Sequence, residues 1–197
     1  MPKIVDYDQR RREIAAKAVP VFAEDGFHDA NLSRIAALCG FGRTTIYKYF
    51  KDKDEIFVFV LDGIFDRLEA EAEAVVGDGS LDAVAKLSAL IKAMVRDSIE
   101  DRDRMLIVLD LLLRLKRDEA AFAAGTKDRL ARLKGYYERV IARGMELGEI
   151  RRGDPGALAF VLFSLAESFV LRHSLSGEFS FEGAMEASGL LLEGLRA

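Results

Sequence analysis

Residues 31–53, NLSRIAALCGFGRTTIYKYFKDK, decide the fold. Asn31 is a good helix N-cap, because its side-chain oxygen can accept a backbone amide left free at a helix start. The pattern predicts a short helix from Asn31 to about Cys39, a turn at Gly40, and a second short helix from Gly42 or Arg43 to around Phe50. Two short helices joined by a glycine-containing turn are the elements of a helix-turn-helix. Close crossing of the two demands a small residue, supplied by Ala36. Four residues later the turn favours a glycine able to take positive φ, supplied by Gly40. Six residues further an apolar plug is required, and Ile46 stands there, with Ile35, Phe41, Tyr49 and Phe50 available for the rest of a small shared core.

Upstream, Ile14, Ala18, Val21 and Phe22 recur at helical spacing, Gly26 closes that helix, and Pro20 inside it is expected to kink it. Downstream, Asp52 with Glu55 three residues later caps a long fourth helix. Breaks at residues 76–80, 100–103, about 118, 148–156 and 176–180 leave five further helices, roughly 81–99, 104–117, 119–147, 155–175 and 181–196. Asp154-Pro155 marks one start, since proline at the first helical position forfeits no hydrogen bond. No stretch alternates with period two. The expected fold is all-α: an N-terminal three-helix helix-turn-helix domain, residues 1–50, and a larger helical domain, residues 51–197.

Composition narrows the chemistry. A single cysteine, Cys39, excludes an internal disulfide framework and fits a reducing cytoplasm. Only His28 and His173 are present, without metal-ligand spacing, so neither a metal nor a cofactor is expected. No nucleophile elbow, phosphate loop or dinucleotide fingerprint occurs, and an enzyme is not expected. The N-terminus lacks the apolar core of a signal peptide. The longest apolar runs, such as 157–163, fall short of the about 20 residues of a bilayer span. The expectation is a cytoplasmic protein without a membrane partner. Residues 1–53 hold ten Lys+Arg against seven Asp+Glu, and residues 54–197 hold nineteen against twenty-six, so a basic head of +3 precedes an acidic body of −7. Such a head suits an anion, with nucleic acid first in line.

The start of the second short helix presents Arg43, Thr44, Thr45, Tyr47 and Lys48, residue types that bond phosphates or base edges. Lys53 adds a cation at a second approach to the backbone. Read singly, Tyr47 and Tyr49 are equally core aromatics, and Arg10, Arg11 and Arg12 are either a solvated helix face or a phosphate-touching arm. From Gly26 to Ile56 the chain resembles the DNA-binding signature of the TetR family of transcriptional regulators: Gly26-Phe27, Ile35-Ala36, Cys39-Gly40-Phe41, then Thr45-Ile46-Tyr47, Phe50 and Lys53. Beyond about residue 57 it is similar only in length, helical content and acidic, apolar character. The resemblance implies that Thr45, Tyr47 and Lys48 face the major groove, with Arg43 and Thr44 near base edges or phosphates. It also implies that Tyr49 and Lys53 hold the DNA backbone and that Asn31 and Ser33 offer phosphate contacts. Gly42 departs from the Ser or Thr often found there, leaving the recognition helix a glycine cap.

In the body, Met105–Leu115 is apolar nearly all round and is expected to be a buried helix. Asp110 and Arg114 lie four apart and form either a structural ion pair or a polar anchor in a ligand pocket. Met94, Met105, Phe122 and Tyr136 line such a pocket or belong to the core. Helices 155–175 and 181–196 are apolar on more than one face, which predicts a two-fold dimer through a four-helix bundle, with Phe160, Phe163, Ser164, Glu167, Leu171, Leu191 and Leu195 at the interface. The expected function is a homodimeric, sequence-specific DNA-binding regulator, a repressor released from a palindromic double-stranded operator by an unknown small-molecule effector. The alternative is a helical adaptor or ligand-sequestering protein that reads no DNA sequence.

Overall fold

A computed structural model describes residues 6–100, 102–116, 120–176 and 180–197, with side chains undescribed at 97–100, 102, 112–116, 120–124 and 174–176. Nine helices are found among the described residues: α1 (Tyr7–Asp29), α2 (Leu32–Leu38), α3 (Arg43–Ile46), α4 (Lys53–Gly77), α5 (Ala83–Glu100), α6 (Arg102–Lys116), α7 (Ala120–Leu147), α8 (Pro155–Ser176) and α9 (Phe181–Glu193). The all-α expectation holds. An isolated antiparallel bridge between Ile150 and Arg196 is the sole β-type pairing among the described residues.

The elements group into two compact units, one comprising the chain up to Phe65 together with Asp103–Phe122, the other Asp66–Arg102 and Ala123–Ala197. Neither grouping ends at residue 50. In the first unit α2 packs on α1 and α3. Helical dihedrals persist through Pro20 and are lost at Gly26, with φ 69° and ψ 165°. That turn frees the Phe27 amide from the helical ladder, and the Asp110 carboxylate of α6 accepts it at 3.0 Å. Phe27 then meets Phe22 and Phe57 at ring separations of 6.0 and 4.9 Å, while Phe22 meets Phe57 edge-on at 5.2 Å. Ile14, Ile35, Ile46 and Ile56 complete a fully buried core. From α6, Met105, Ile107 and Leu111 are buried while Leu106, Val108 and Leu109 are only partly covered, so one stripe of that apolar helix is interior rather than its whole girth.

The second unit is built on α5, whose Leu87, Ile91 and Val95 form an i, i+4 stripe against α8 and α9. Ala159, Leu162, Phe163, Ala166 and Val170 supply the facing stripe of α8. By length and composition residues 155–173 of α8 are apolar enough to cross a bilayer. Uninterrupted apolar runs do not reveal this, because Glu167 and Arg172 break the runs without lowering the average far. The helix starts as Asp154-Pro155 predicts, the Asp154 carboxylate accepting from Gly156 and Ala157 N–H at 2.9 and 3.2 Å.

Gly144 of α7 marks a tight crossing. A Cβ there would lie 2.6 Å from the Ala83 Cβ and 2.9 Å from Ile150 Cδ1. The Ala83 Cβ cannot move without its backbone, so Gly144→Ala is expected to destabilise the protein by about 1–3 kcal/mol as overpacking. Urea unfolding followed by circular dichroism checks this, and a midpoint equal to or above wild type contradicts it.

Candidate nucleic-acid interface

The α2–α3 turn is fixed by backbone hydrogen bonds that a left-handed glycine makes possible. Gly40 has φ 70°, Gly40 N–H donates to Ala37 C=O at 3.0 Å and Phe41 N–H to Ala36 C=O at 2.9 Å. This is a complete Schellman closure, which satisfies carbonyls that a helix end leaves free. At the other end of α2, the Asn31 side chain accepts from Ser33 N–H at 2.8 Å. Ala36 and Ile46 are buried where the two helices meet. α3 is shorter than expected, with residues 47–49 forming a turn rather than further helix. Gly42 caps it without a side-chain bond.

On the outer side Arg43, Thr44, Tyr47 and Lys48 are exposed, as are Asn31 and Ser33, while Thr45, Tyr49 and Lys53 are half-buried. Arg43 reaches only the Tyr47 hydroxyl, at 3.4 Å, and neither Arg43 nor Lys48 enters an ion pair among the described residues. Tyr47, 48% exposed, presents its ring outward. Three other cations of this unit are committed elsewhere. Arg34 pairs with Glu24 and Asp25, which raises its pKa through those hydrogen bonds. Arg11 bonds Glu55 at 2.7 Å and stacks on Phe50 and Phe59. Arg10 bonds Glu13 at 2.5 Å and lies over Phe41.

Lys53 occupies a different environment from Lys48. Its ammonium donates to the carbonyls of His28 and of Ala30, the latter at 3.2 Å, and sits 4.7 Å above the Phe27 ring. It therefore ties the α1–α2 connection to the start of α4. Glu55 closes that start from both sides, its amide donating to Asp52 at 2.9 Å and its carboxylate accepting from Lys51 N–H at 2.7 Å. Tyr49 is held by a residue outside the motif: Tyr7 Oη donates to the Tyr49 carbonyl at 3.2 Å, and the rings lie 5.4 Å apart. No sequence spacing signals that contact. Burial raises the Cys39 thiol pKa, disfavouring a reactive thiolate.

The pocket candidates of the body are divided between the two units. Met105 is buried in the first unit, and Asp110 there serves the Phe27 amide. The Arg114 and Phe122 side chains lie outside the described residues, and with them the Asp110–Arg114 pairing. In the second unit Tyr136 donates to Glu73 at 3.1 Å beside an open groove shared with Arg132 and Arg139. Met94 instead faces an apolar cavity with Tyr137 and Phe163.

Among the residues expected at a dimer interface, Phe160 and Leu191 are each 62% exposed and Leu171 is also exposed, while Ser164, Glu167 and Leu195 are half-buried. Phe163 is a correction: it is turned inward against the Tyr137 ring at 5.7 Å, so it belongs to this chain's own core. Val161 and Leu190, 59% and 73% exposed, join the outward face.

Comparison with known proteins matches both parts of the chain. Residues 14–59 fit the family described as "Bacterial regulatory proteins, tetR family", and residues 80–188 fit "Tetracyclin repressor-like, C-terminal domain". The HTH-type transcriptional regulator HbdR of Aromatoleum sp. (strain CIB) is 26% identical over 192 residues, covering 97% of this chain and 81% of HbdR. A transcriptional regulator from Saccharomonospora viridis, solved in complex with choline, superposes with a TM-score of 0.83 at 20% identity, covering 94% of this chain and 96% of that one. AibR, solved with isovaleryl coenzyme A and operator DNA, gives a TM-score of 0.73 at 18% identity over 92% of this chain and 97% of that one.

Proposed function

The chain belongs to the TetR family of helix-turn-helix DNA-binding transcriptional regulators, and from that premise we propose that it is a homodimeric repressor, released from a palindromic operator by a small molecule. The observation that carries the reading is the row Arg43, Thr44, Tyr47 and Lys48, exposed and free of ion pairs among the described residues, on α3 and the turn that follows it, with α3 joined to α2 by the Gly40 turn. Two protomers present two such rows, and half-sites about one DNA turn apart, roughly 34–36 Å, suit a two-fold protein. Arg43 and Lys48 neutralise phosphates or meet guanine edges, Thr44 and Thr45 offer hydroxyls and methyls, and Tyr47 offers a ring and a hydroxyl. Thr45, half-buried, reaches the groove from the inner edge of the row.

Dimerisation is supported by the outward face of α8 and α9, where Phe160, Val161, Leu171, Leu190 and Leu191 place five large apolar side chains in solvent. Large apolar side chains left in solvent in such number mark a protein-interaction surface. Ser164 and Glu167 stand at its margin and set register. Effector control is supported by likeness to regulators solved with small molecules, AibR with a coenzyme A thioester and the Saccharomonospora viridis protein with choline. A ligand shifts the operator-binding equilibrium only by its differential affinity for two states of the body. The protein acts in the cytoplasm, on DNA, and performs no catalysis.

Selection of random duplex DNA on the purified full-length chain tests this reading, with enriched sequences re-measured by fluorescence anisotropy at two salt concentrations. The expected result is a palindromic winner whose affinity falls steeply with salt. No enrichment by a folded, dimeric protein replaces the regulator by the adaptor reading.

A further inference from the structure

We propose that Tyr7, at the start of α1, is a positioning residue for DNA reading: it holds the turn after α3 in the shape that delivers Tyr47 and Lys48 to the duplex. The proposal rests on the DNA-reading function above and adds to it a residue outside the helix-turn-helix motif.

Half of the reading row does not stand on a helix. α3 ends at Ile46, and Tyr47 and Lys48 belong to the turn formed by residues 47–49. Within that turn Lys48 N–H donates to Thr45 C=O at 3.2 Å and Tyr49 N–H to Ile46 C=O at 2.9 Å, both bonds spanning three residues. Bonds of that span have poorer geometry than α-helical ones, and a single helical turn is not stable by itself. Burial secures its flanks, Ile46 at 0% and Phe50 at 1% exposure, and leaves the two readers exposed between these anchors.

Tyr7 supplies a tie from another element. Its Oη donates to the Tyr49 carbonyl at 3.2 Å, and its ring lies 5.4 Å from the Tyr49 ring at an interplanar angle of 34°. Among the described residues no other side chain from outside α3 and its turn hydrogen-bonds to residues 47–49 or stacks on them. Tyr7 is itself placed by Asp6, whose carboxylate caps α1 by accepting from Asp8 and Gln9 N–H at 3.1 and 3.3 Å. Half of Tyr7 is in solvent, so its bond competes with water and adds little to global stability. Its effect is local, on the fraction of free protein whose turn already has the reading shape. A reader competent for part of the time binds with its affinity reduced by that fraction. A dimer with two readers incurs the factor twice.

The test uses the full-length protein and its selected operator, with Tyr7→Phe, which keeps the ring, and Tyr7→Ala, which removes it. Tyr7→Ala is expected to weaken operator binding about tenfold, roughly threefold for each of two turns, and Tyr7→Phe about threefold, with the fold and the dimer intact. The dependence of log affinity on log salt stays at the wild-type value, because no cation is removed. In the free Tyr7→Ala protein, amide hydrogen exchange at Lys48 and Tyr49 quickens at least about twofold while that of α4 is unchanged. In a background carrying Tyr47→Ala and Lys48→Ala the turn has lost both readers, and adding Tyr7→Ala weakens binding by less than about twofold. Wild-type operator affinity in Tyr7→Ala, or unchanged exchange at Lys48 and Tyr49, overturns the proposal. A full tenfold loss that persists in the emptied background also overturns it, since Tyr7 would then touch the DNA itself. A wild type that enriches no operator removes the regulator reading and this proposal with it. Tyr7 variants that match a wild type reading its operator remove this proposal alone.

Discussion

A chain carrying Phe160→Asp and Leu191→Asp together is expected to sediment as a folded monomer and to lose operator affinity by about 10²–10⁴-fold, the factor that linking two half-site readers supplies. Both side chains are 62% exposed, so the monomer's core is untouched. That core uses the opposite stripe of α8 (Ala159, Leu162, Phe163, Ala166 and Val170) and Leu192 of α9. In a dimer the same positions would bury carboxylates without partners, and an uncompensated buried charge is strongly destabilising. Sedimentation velocity reports the assembly state, circular dichroism the fold, and anisotropy on duplexes with one and two half-sites the binding. Persistence of the dimer, or a monomer that holds the two-site duplex as tightly as wild type, removes α8 and α9 from the interface.

The second large effect belongs to the head. Arg43→Ala with Lys48→Ala is expected to weaken operator binding at least about 100-fold with the dimer intact, since each specific interaction is worth about 1–3 kcal/mol and each occurs twice. Both side chains are exposed and outside any ion pair among the described residues, so the loss cannot come from the fold. Lys48→Ala alone lowers the dependence of log affinity on log salt by about one for each phosphate it ceases to neutralise. Lys53→Met gives a contrast. Its ammonium is already bonded to the His28 and Ala30 carbonyls, so the variant lowers the melting temperature of the free protein. A melting temperature unchanged in Lys53→Met, with a reduced salt slope, would return Lys53 to the phosphate backbone.

Short-range patterns carry the fold. Ala36, Gly40 and Ile46 lie within eleven residues, so their spacing alone states how α2 and α3 cross, and the caps at Asn31, Asp52 and Asp154 are likewise local. Long-range contacts leave no such trace. Asp110 four residues before Arg114 suggests an ion pair, whose other end lies outside the described residues, but no spacing announces that the Asp110 carboxylate accepts from Phe27, 83 positions away. Lys48 and Lys53 read alike as cations beside a recognition helix; only the folded loop shows one in solvent and the other on two carbonyls. Tyr136 and Tyr137 sit about 100° apart around α7, and an amphipathic pattern does not reveal that both are buried, each against different partners. The folded chain bonds Tyr136 to Glu73 and closes Tyr137 inside with Phe163. Phe163 reads as outward for the same reason, because α8 is apolar around most of its circumference.

The bond from Phe27 to Asp110 bears on how this protein can be rebuilt. Hybrid regulators are made by grafting the reader of one chain onto the sensor of another, and residues 1–50 look like the natural graft. Cut there, the reader would leave behind Phe57, which closes the aromatic cluster of Phe22 and Phe27. It would leave Lys53 and Glu55, which tie its loops, and the α6 carboxylate that answers its one broken turn. Such a graft would carry the operator's spelling without the frame that holds the letters in register. The portable piece is the chain through Phe65, joined to a host whose sixth helix places an acid against Phe27.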